Sequence, residues 1–284
     1  MAPEVLYKYR NFEKYTLLGL IHGTYWLATP GQLNDPFDAQ LKPVAEPIPE
    51  KVFYNEIDSF ISRQKKFNKK IFNFTNVELL YQEGVPSGTL IDNVRAFTHS
   101  VESIATNIGV FSLSETSTST TMWSHYGDEH KGICIGYKSD YLLSIPNSSE
   151  QRCINPIYYL PEQELSRNAY LLYARSGMGA DIPLLVDYIL FLLSQKSTDW
   201  NDEKEWRLLV PYLGGQAVEH GLETIQSITF GLRTPIDVKS TVRKTLKNNK
   251  IEYFQSVRHD FHLSLVSERM SENSEHWSTQ YEKC

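Results

Sequence analysis

The sequence predicts an α+β protein, with a mixed or antiparallel central sheet and helices clustered around it. Short segments such as residues 5–10 and 131–137 alternate apolar and polar side chains among β-forming residue types. Helical spacing is concentrated in residues 50–99 instead of alternating with the strands. No stretch is rich enough in Pro, Gly or Ser to act as a linker, so we predict one domain over residues 1–267 and a polar tail over 268–284.

The first predicted strand, residues 5–10, is followed by a short helix at 11–20 with Asn11 as its candidate N-cap. Further strands are predicted at 25–28, 108–113, 131–137, 154–160, 206–212, 227–231 and 251–257. Further helices are predicted at two or three places within 50–99 and at 122–126, 184–193 and 238–248. Pro183 and Asp187 interrupt the longest apolar stretch, which is therefore predicted as a buried helix and not as a membrane span.

Composition indicates which ligands and which cellular compartment suit this chain. The 284 residues carry a formal net charge of −6, which argues against general binding of phosphate backbones, although a local basic cleft is compatible with it. The three cysteines, Cys134, Cys153 and Cys284, lack metal-ligand spacing and suit a reducing compartment. The N-terminus has no apolar core like that of a signal peptide. We expect a cytoplasmic protein with no metal and no membrane partner; its oligomeric state is open.

Two motifs near the N-terminus are candidates for ligand binding. On the first strand, Tyr7 and Tyr9 share one face, while Lys8 and Arg10 share the other. Two neighbouring cations suit an anion such as a phosphate, and the alternative is an exposed strand face.

The second N-terminal motif is the loop of residues 34–38. It can present Asn34, Asp35 and Phe37 to a ligand, since loops on a scaffold often hold functional groups. The alternative is a rigid turn, fixed by Pro36, with Phe37 tucked into the core.

Trp123, Ser124, His125 and Tyr126 form a dense run of side chains that can stack and donate hydrogen bonds. His125 could act as an acid or base near neutral pH, with Tyr126 beside it. The alternative is that Trp123 and Tyr126 pack in the core while His125 satisfies a buried carbonyl.

The charged side chains of the segment 200–207 include two glutamates and an arginine. If strand geometry begins by Glu203, then Glu203, Glu205 and Arg207 share one face. The carboxylates would raise each other's pKa and Arg207 would lower both, so the group can be tuned for catalysis. Ion pairs at the start of a strand are the alternative.

Together these motifs resemble a family of mostly prokaryotic proteins, the domain of unknown function 2971. The resemblance rests on residues 7–9, 34–38, 123–126 with 131–132, 203–207 and 228–231, in that order along the chain. Proteins of this family look like those found near phage-defence and mobile-element genes. The resemblance therefore implies a toxin or effector role.

A weaker resemblance is to ADP-ribosyltransferase-like folds, in which three strands supply an Arg or His, a Ser or Tyr, and a Glu. The matching residues are Arg10 or Tyr9, Ser112 or Tyr126, and Glu205 with Glu203. In that chemistry the carboxylate stabilises positive charge on the sugar while the glycosidic bond to nicotinamide breaks. This resemblance implies that NAD is the substrate.

Three functions follow as expectations. The first is NAD-dependent glycosyl or ADP-ribosyl transfer, with Glu205 as the key carboxylate and a protein or nucleic acid as possible target. The second is a metal-dependent nuclease using Asp35, Glu203 and Lys204. The third is a sensor that binds a nucleotide-like small molecule without turnover.

Overall fold

The computed structural model describes residues 2–35, 38, 45–66, 79–144, 152–161, 168–179, 186 and 189–281. The chain forms two compact units from interleaved segments. The first unit comprises Met1–Thr29, Gly109–Tyr159 and Lys196–Cys284, and the second comprises Pro30–Ile108 and Leu160–Gln195. The single domain over 1–267 and the tail boundary at 268 stay predictions.

Strands and helices alternate irregularly along the chain. The strands are β1 (Val5–Arg10), β2 (Thr24–Leu27), β3 (Tyr81–Gln82), β4 (Val85–Pro86), β5 (Gly109–Ser114), β6 (Ile133–Lys138), β7 (Cys153–Pro156), β8 (Tyr158–Leu160), β9 (Gln195–Ser197), β10 (Glu205–Val210), β11 (Gln216–Glu219), β12 (Ile225–Phe230), β13 (Glu252–Arg258) and β14 (Leu265–Arg269). The helices are α1 (Lys14–His22), α2 (Glu50–Lys66), α3 (Gly88–Thr106), α4 (Thr120–Tyr126), α5 (Ser139–Leu143), α6 (Ala169–Arg175) and α7 (Ile236–Thr245).

An eight-stranded sheet in the order β14-β13-β12-β6-β1-β5-β10-β7 forms the centre of the first unit. Within it β12 and β13 are parallel, and the other neighbours are antiparallel. A large mixed sheet with helices around it confirms the predicted α+β class. The ADP-ribosyltransferase-like fold stays a prediction.

The junction between β1 and β5 is the loosest contact inside this sheet. β1 pairs with β6 along its whole length but with β5 at a single position, where Tyr7 lies opposite Ser114. Next to that position the Lys8 Nζ donates to the Ser112 carbonyl oxygen at 2.7 Å. A lysine side chain thus links β1 to β5 next to the single position where their backbones pair.

The alternation of β1 sorts its side chains onto the two faces of the sheet. Leu6 is fully buried in the main core, and Tyr9 lies in a separate buried cluster with Trp123 and Cys134. Burying an aromatic or aliphatic side chain of this size contributes roughly 1.5–3 kcal/mol. Both faces of β1 therefore hold it in place, which fixes where Lys8 and Arg10 emerge.

Several element boundaries differ from the predictions. Helix α1 has Glu13, not Asn11, at its N-cap position, and the Asn11 carbonyl instead accepts from the Thr16 hydroxyl at 2.9 Å. The predicted strand 154–160 divides at Ile157 into β7 and β8. The predicted helix 184–193 is confirmed at residues 186 and 189–192, and residues 184, 185, 187 and 188 lie outside the described residues. Strand β14 was not predicted, because its sequence LVSER has little alternation.

The second unit is mainly helical, as expected for residues 50–99. Helix α6 packs against α2 and α3, and Arg175 on α6 binds both carboxylate oxygens of Glu56 on α2 at 3.0 and 3.1 Å. Of the helices in the described residues, none is both long enough and apolar enough to cross a membrane.

Candidate functional site

The paired glutamates are reached through a tight turn. Residues 198–203 form a 3-10 helix capped by Ser197, whose hydroxyl accepts from the Asp199 N–H at 3.3 Å. Lys204 follows in the left-handed region with φ of 45°, and β10 begins only at Glu205. The condition that strand geometry begin by Glu203 is therefore not met, because the turn extends to that residue. Both carboxylates nevertheless lie inside the protein.

Lys196 joins the two glutamates. Its Nζ lies 2.5 Å from Glu203 Oε2 and 3.1 Å from Glu205 Oε2, and all three side chains are buried. The ammonium also lies 4.7 Å from the centre of the Trp200 ring. Lys196 was not among the site residues predicted from the sequence. Its only signal was a lysine placed between an apolar stretch and Trp200.

Arg207 completes the charge balance of this network. Its Nε lies 2.7 Å from Glu205 Oε1 and its Nη2 lies 3.2 Å from Glu205 Oε2, a two-point pairing that suits a planar guanidinium. Arg207 is fully buried. Two carboxylates thus face two cations in the interior, where a charge without a partner would be costly.

This pairing sets the protonation of Glu205. Burial would raise the pKa of its carboxyl group, but Arg207 and Lys196, together with a hydrogen bond from Ser112, outweigh burial and lower the pKa to about 2. Glu205 is therefore ionised at neutral pH. It can stabilise positive charge, but it cannot donate a proton.

Hydrogen bonds to three elements hold the glutamates in place. The Tyr126 hydroxyl on α4 donates to Glu203 Oε1 at 2.7 Å. The Glu205 N–H donates to the Tyr159 hydroxyl on β8 at 2.7 Å. Ser114 on β5 donates to the Glu203 carbonyl oxygen at 2.7 Å. Tyr126 was expected here, whereas Tyr159 and Ser114 were not, since neither lies in a conspicuous motif.

Lys8 is a fifth charged group beside the network. Its Nζ lies 5.2 Å from the centre of the Phe111 ring. Burial lowers the pKa of Lys8 to about 7, the charge of Arg10 acts in the same direction, and Glu205 and Glu203 oppose it. Lys8 can therefore exchange a proton near neutral pH, unlike an ordinary lysine.

A cleft of about 640 Å³ is lined by Arg10 and Phe111 among other residues. Aromatic rings make up much of its wall, namely Tyr15, Tyr25, Trp26, Phe111 and Tyr137. Its volume falls within the range of about 300–1,000 Å³ that is typical of small-molecule sites. One guanidinium among aromatic rings suits a ligand that combines a planar ring with an anionic group.

Three other residues of the predicted site form a packed aromatic cluster. Trp123 is fully buried, lies edge-on to Tyr9 at 5.0 Å between ring centres, and donates from Nε1 to the Ser117 carbonyl oxygen at 3.0 Å. Tyr9 donates to the Thr116 carbonyl oxygen at 2.8 Å. Tyr7 packs against the same cluster. These contacts account for the three aromatic residues by packing.

Ser124 and His125 occupy the exposed side of α4. The Ser124 hydroxyl donates to the Thr120 carbonyl oxygen at 2.9 Å. Among the described residues, the imidazole of His125 contacts only the Tyr126 ring, at 6.3 Å between ring centres. The structure therefore joins Tyr126, but not His125, to the carboxylate network.

The glycines of two motifs have a structural role. Gly132 and Gly231 meet where the Gly231 N–H donates to the Gly132 carbonyl oxygen at 3.2 Å. A Cβ atom on Gly132 would collide with the backbone of Arg10, and one on Gly231 would collide with the backbone of His130. These positions require glycine for close packing of β1, β6 and β12.

The remaining predicted residues belong to the second unit. Asn34 is exposed and Asp35 is partly buried, and the Asp35 carbonyl oxygen accepts from the Asp38 N–H at 3.0 Å. Phe37 lies outside the described residues. Within the described part of the chain, no three His, Cys, Asp or Glu side chains are placed to hold a metal ion together.

Residues 122–208 match the model of a family described as "Protein of unknown function (DUF2971)". The matched segment contains Tyr126, Lys196, both glutamates and Arg207, so it includes most of the carboxylate network. The family resemblance predicted from the sequence is thereby confirmed over this segment. Searches of curated proteins and of solved structures give no match.

Proposed function

We propose that this protein transfers a glycosyl or ADP-ribosyl group from NAD, with Glu205 as the carboxylate nearest the developing positive charge. One observation carries the proposal. Adjoining strands β1, β5 and β10 supply a cation, a hydroxyl and a carboxylate that meet, since Lys8 donates to the Ser112 carbonyl and the Ser112 hydroxyl bonds Glu205. A toxin or defence setting rests on the family resemblance alone.

The reaction would break the bond between nicotinamide nitrogen and ribose C1′, and the bonding electrons would leave with nicotinamide. Positive charge then develops on the ribose, and a fixed, ionised carboxylate lowers that barrier electrostatically. Lys196 lies closer to Glu203 than to Glu205, so a small shift of its ammonium towards Glu203 would leave Arg207 as the one cation paired with Glu205 and increase the net negative charge there. A nucleophilic oxygen of water or of a target molecule completes the transfer.

The aromatic cleft supplies the binding half of this proposal. Arg10 would pair with the pyrophosphate, and rings such as Tyr25 and Phe111 would pack against a base. Lys8 couples the two parts, because its charge interacts with both Arg10 and Glu205.

A second candidate is a sensor that binds a nucleotide-like ligand without turnover. The observation that favours it is the pairing of both glutamates with Lys196 and Arg207, since a neutralised carboxylate stabilises less positive charge. In this case the network is structural and the cleft alone is functional.

Nicotinamide release from NAD tests the proposal. Purified protein is incubated with NAD, with and without nucleic acid or protein acceptors, and products are measured by chromatography and mass spectrometry. We expect Glu205→Gln to slow release by about 100-fold or more, which is typical for removal of one electrostatic stabiliser. The matched control, Glu4→Gln, changes an exposed carboxylate and should match wild type.

Two further results separate the alternatives. Tyr126→Phe removes the donor to Glu203 and leaves every ion pair in place, so a loss of rate in a variant with wild-type stability supports the site. NAD binding with no product from the wild type would establish the sensor instead. Full activity in Glu205→Gln would overturn the proposed site.

A further inference from the structure

A groove lies at the β14 edge of the sheet. The end of α7, β13 and the segment after β14 enclose about 970 Å³. Its floor is apolar, with Leu246 and Met270 buried and Ile251 partly buried. The charged residues of its wall are Arg243, Lys244, Lys247 and Arg269, together with Glu252 and Glu272.

The cations of this groove outnumber its carboxylates and are mostly unpaired. Arg269 pairs with Glu252 at 2.5 Å. Among the described residues, no carboxylate pairs with Lys244 or Lys247, and both are exposed. Residues 238–251 contain five Lys or Arg and no Asp or Glu, in a chain whose net charge is −6. This segment is therefore positively charged, although the net charge of the whole chain is negative.

Aromatic side chains adjoin these cations. The Arg243 guanidinium lies 4.4 Å from the centre of the Trp277 ring, and its Nη2 donates to the Glu272 carbonyl oxygen at 3.3 Å. Trp277 in turn lies edge-on to Tyr253 at 5.2 Å. A guanidinium next to an aromatic ring is a combination of groups on which unpaired bases can stack.

Helix electrostatics explain only part of this charge. Cations in the last turn of a helix interact favourably with its C-terminal end, which accounts for Arg243 and Lys244. Lys247 follows the helix, and Arg269 comes from β14, a separate element of the same wall. Cations converging from two elements indicate an extended anion.

We propose that this groove binds the phosphate backbone of single-stranded nucleic acid. Several cations spread along the wall suit successive phosphates, and stacking on Arg243 favours unpaired bases over a duplex. The negative charge of the rest of the surface would repel the strand elsewhere and direct it to this groove. The inference does not depend on NAD chemistry.

Fluorescence anisotropy of labelled oligonucleotides tests it with the full chain and without NAD. Labelled 12-mers of thymidine and of uridine are titrated at several salt concentrations, and the tighter binder identifies the strand type. We expect Lys244→Gln with Lys247→Gln to weaken binding by about tenfold or more. The slope of log affinity against log salt should become shallower by about 1.4, because each phosphate contact on a single strand contributes about 0.7.

The control is Lys14→Gln with Lys51→Gln, which removes the same charge at two other exposed lysines. It should retain nearly wild-type affinity. Equal losses in the two double variants, displacement of the strand by polyglutamate as readily as by unlabelled oligonucleotide, or no binding by the wild type at low salt would each overturn the inference. Wild-type circular dichroism of both double variants excludes unfolding as the cause of a loss.

Discussion

Two charged regions of the first unit lie towards opposite edges of the same sheet, and they differ in burial and in ion pairing. In the carboxylate network beside β10, Glu203 and Glu205 are buried and fully paired with Lys196 and Arg207. In the groove beside β14, cations such as Lys244 are exposed and have no ion-pair partner among the described residues.

The difference shows what burial does to a charge. A buried ion must be paired, since one left alone costs several kcal/mol, and the pairing then fixes its protonation, as it does for Glu205. An exposed cation is hydrated and costs little, so it stays available for a ligand. The network is therefore suited to positioning and electrostatics, and the groove to affinity.

The largest expected effect comes from breaking the network at Arg207. Arg207→Met leaves the buried Glu205 without its main partner, so we expect the free energy of unfolding to fall by about 3–5 kcal/mol. Urea unfolding followed by circular dichroism measures it. Arg95→Met, at an exposed pair with 74% of the arginine side chain accessible, should cost less than about 1 kcal/mol. Similar losses at the two sites would show that the buried pair and the exposed pair contribute alike to stability.

A smaller effect should appear in acid. Because the pKa of Glu205 is lower in the folded protein than its usual 4.5, its contribution is complete above pH 4.5 and is lost as pH falls towards 2. The contribution is on the order of 3 kcal/mol. We expect urea midpoints of wild type to drop between pH 5 and pH 3 more steeply than those of Glu205→Gln. Glu4→Gln, at an exposed site, should follow wild type; parallel curves for all three proteins would contradict the assignment.

The smallest effect on stability is expected in the groove. Arg269 is 71% exposed and pairs with a partly exposed Glu252, so Arg269→Gln should change the free energy of unfolding by less than about 1 kcal/mol. The same variant should bind oligonucleotides more weakly than wild type. A large loss of stability would mean that this pair is structural and that the two regions differ less than proposed.

Local patterns predicted much of the fold. Strands β1, β5, β6, β12 and β13 lie within two residues of their predicted positions, because alternation of side chains is a property of the strand itself. The short helix predicted at 122–126 is α4, and its N-cap in the structure, Ser119, also lies close by in the chain. The start of α1 differs from the prediction because Glu13 occupies the N-cap position and makes no side-chain cap hydrogen bond, so no cap residue marks this helix start in the sequence.

The candidate site was less predictable. Lys196 on β9 and Tyr159 on β8 belong to no polar motif. Each becomes important only because the fold places it in hydrogen-bond contact with Glu203 or Glu205. Conversely, His125 stands in a prominent motif but lies on the exposed side of its helix. A motif shows which groups are available; it does not show which direction each one faces.

By itself the sequence determined the α+β class, the principal strands and the presence of two glutamates close to an arginine. Only the tertiary structure decided that Lys196 would join those glutamates and that Ser112 would bond Glu205 across neighbouring strands. The physical reason is that alternation and capping act between residues close in the chain. Burial and Coulomb interactions depend on distances in space, which the chain fixes only when it folds.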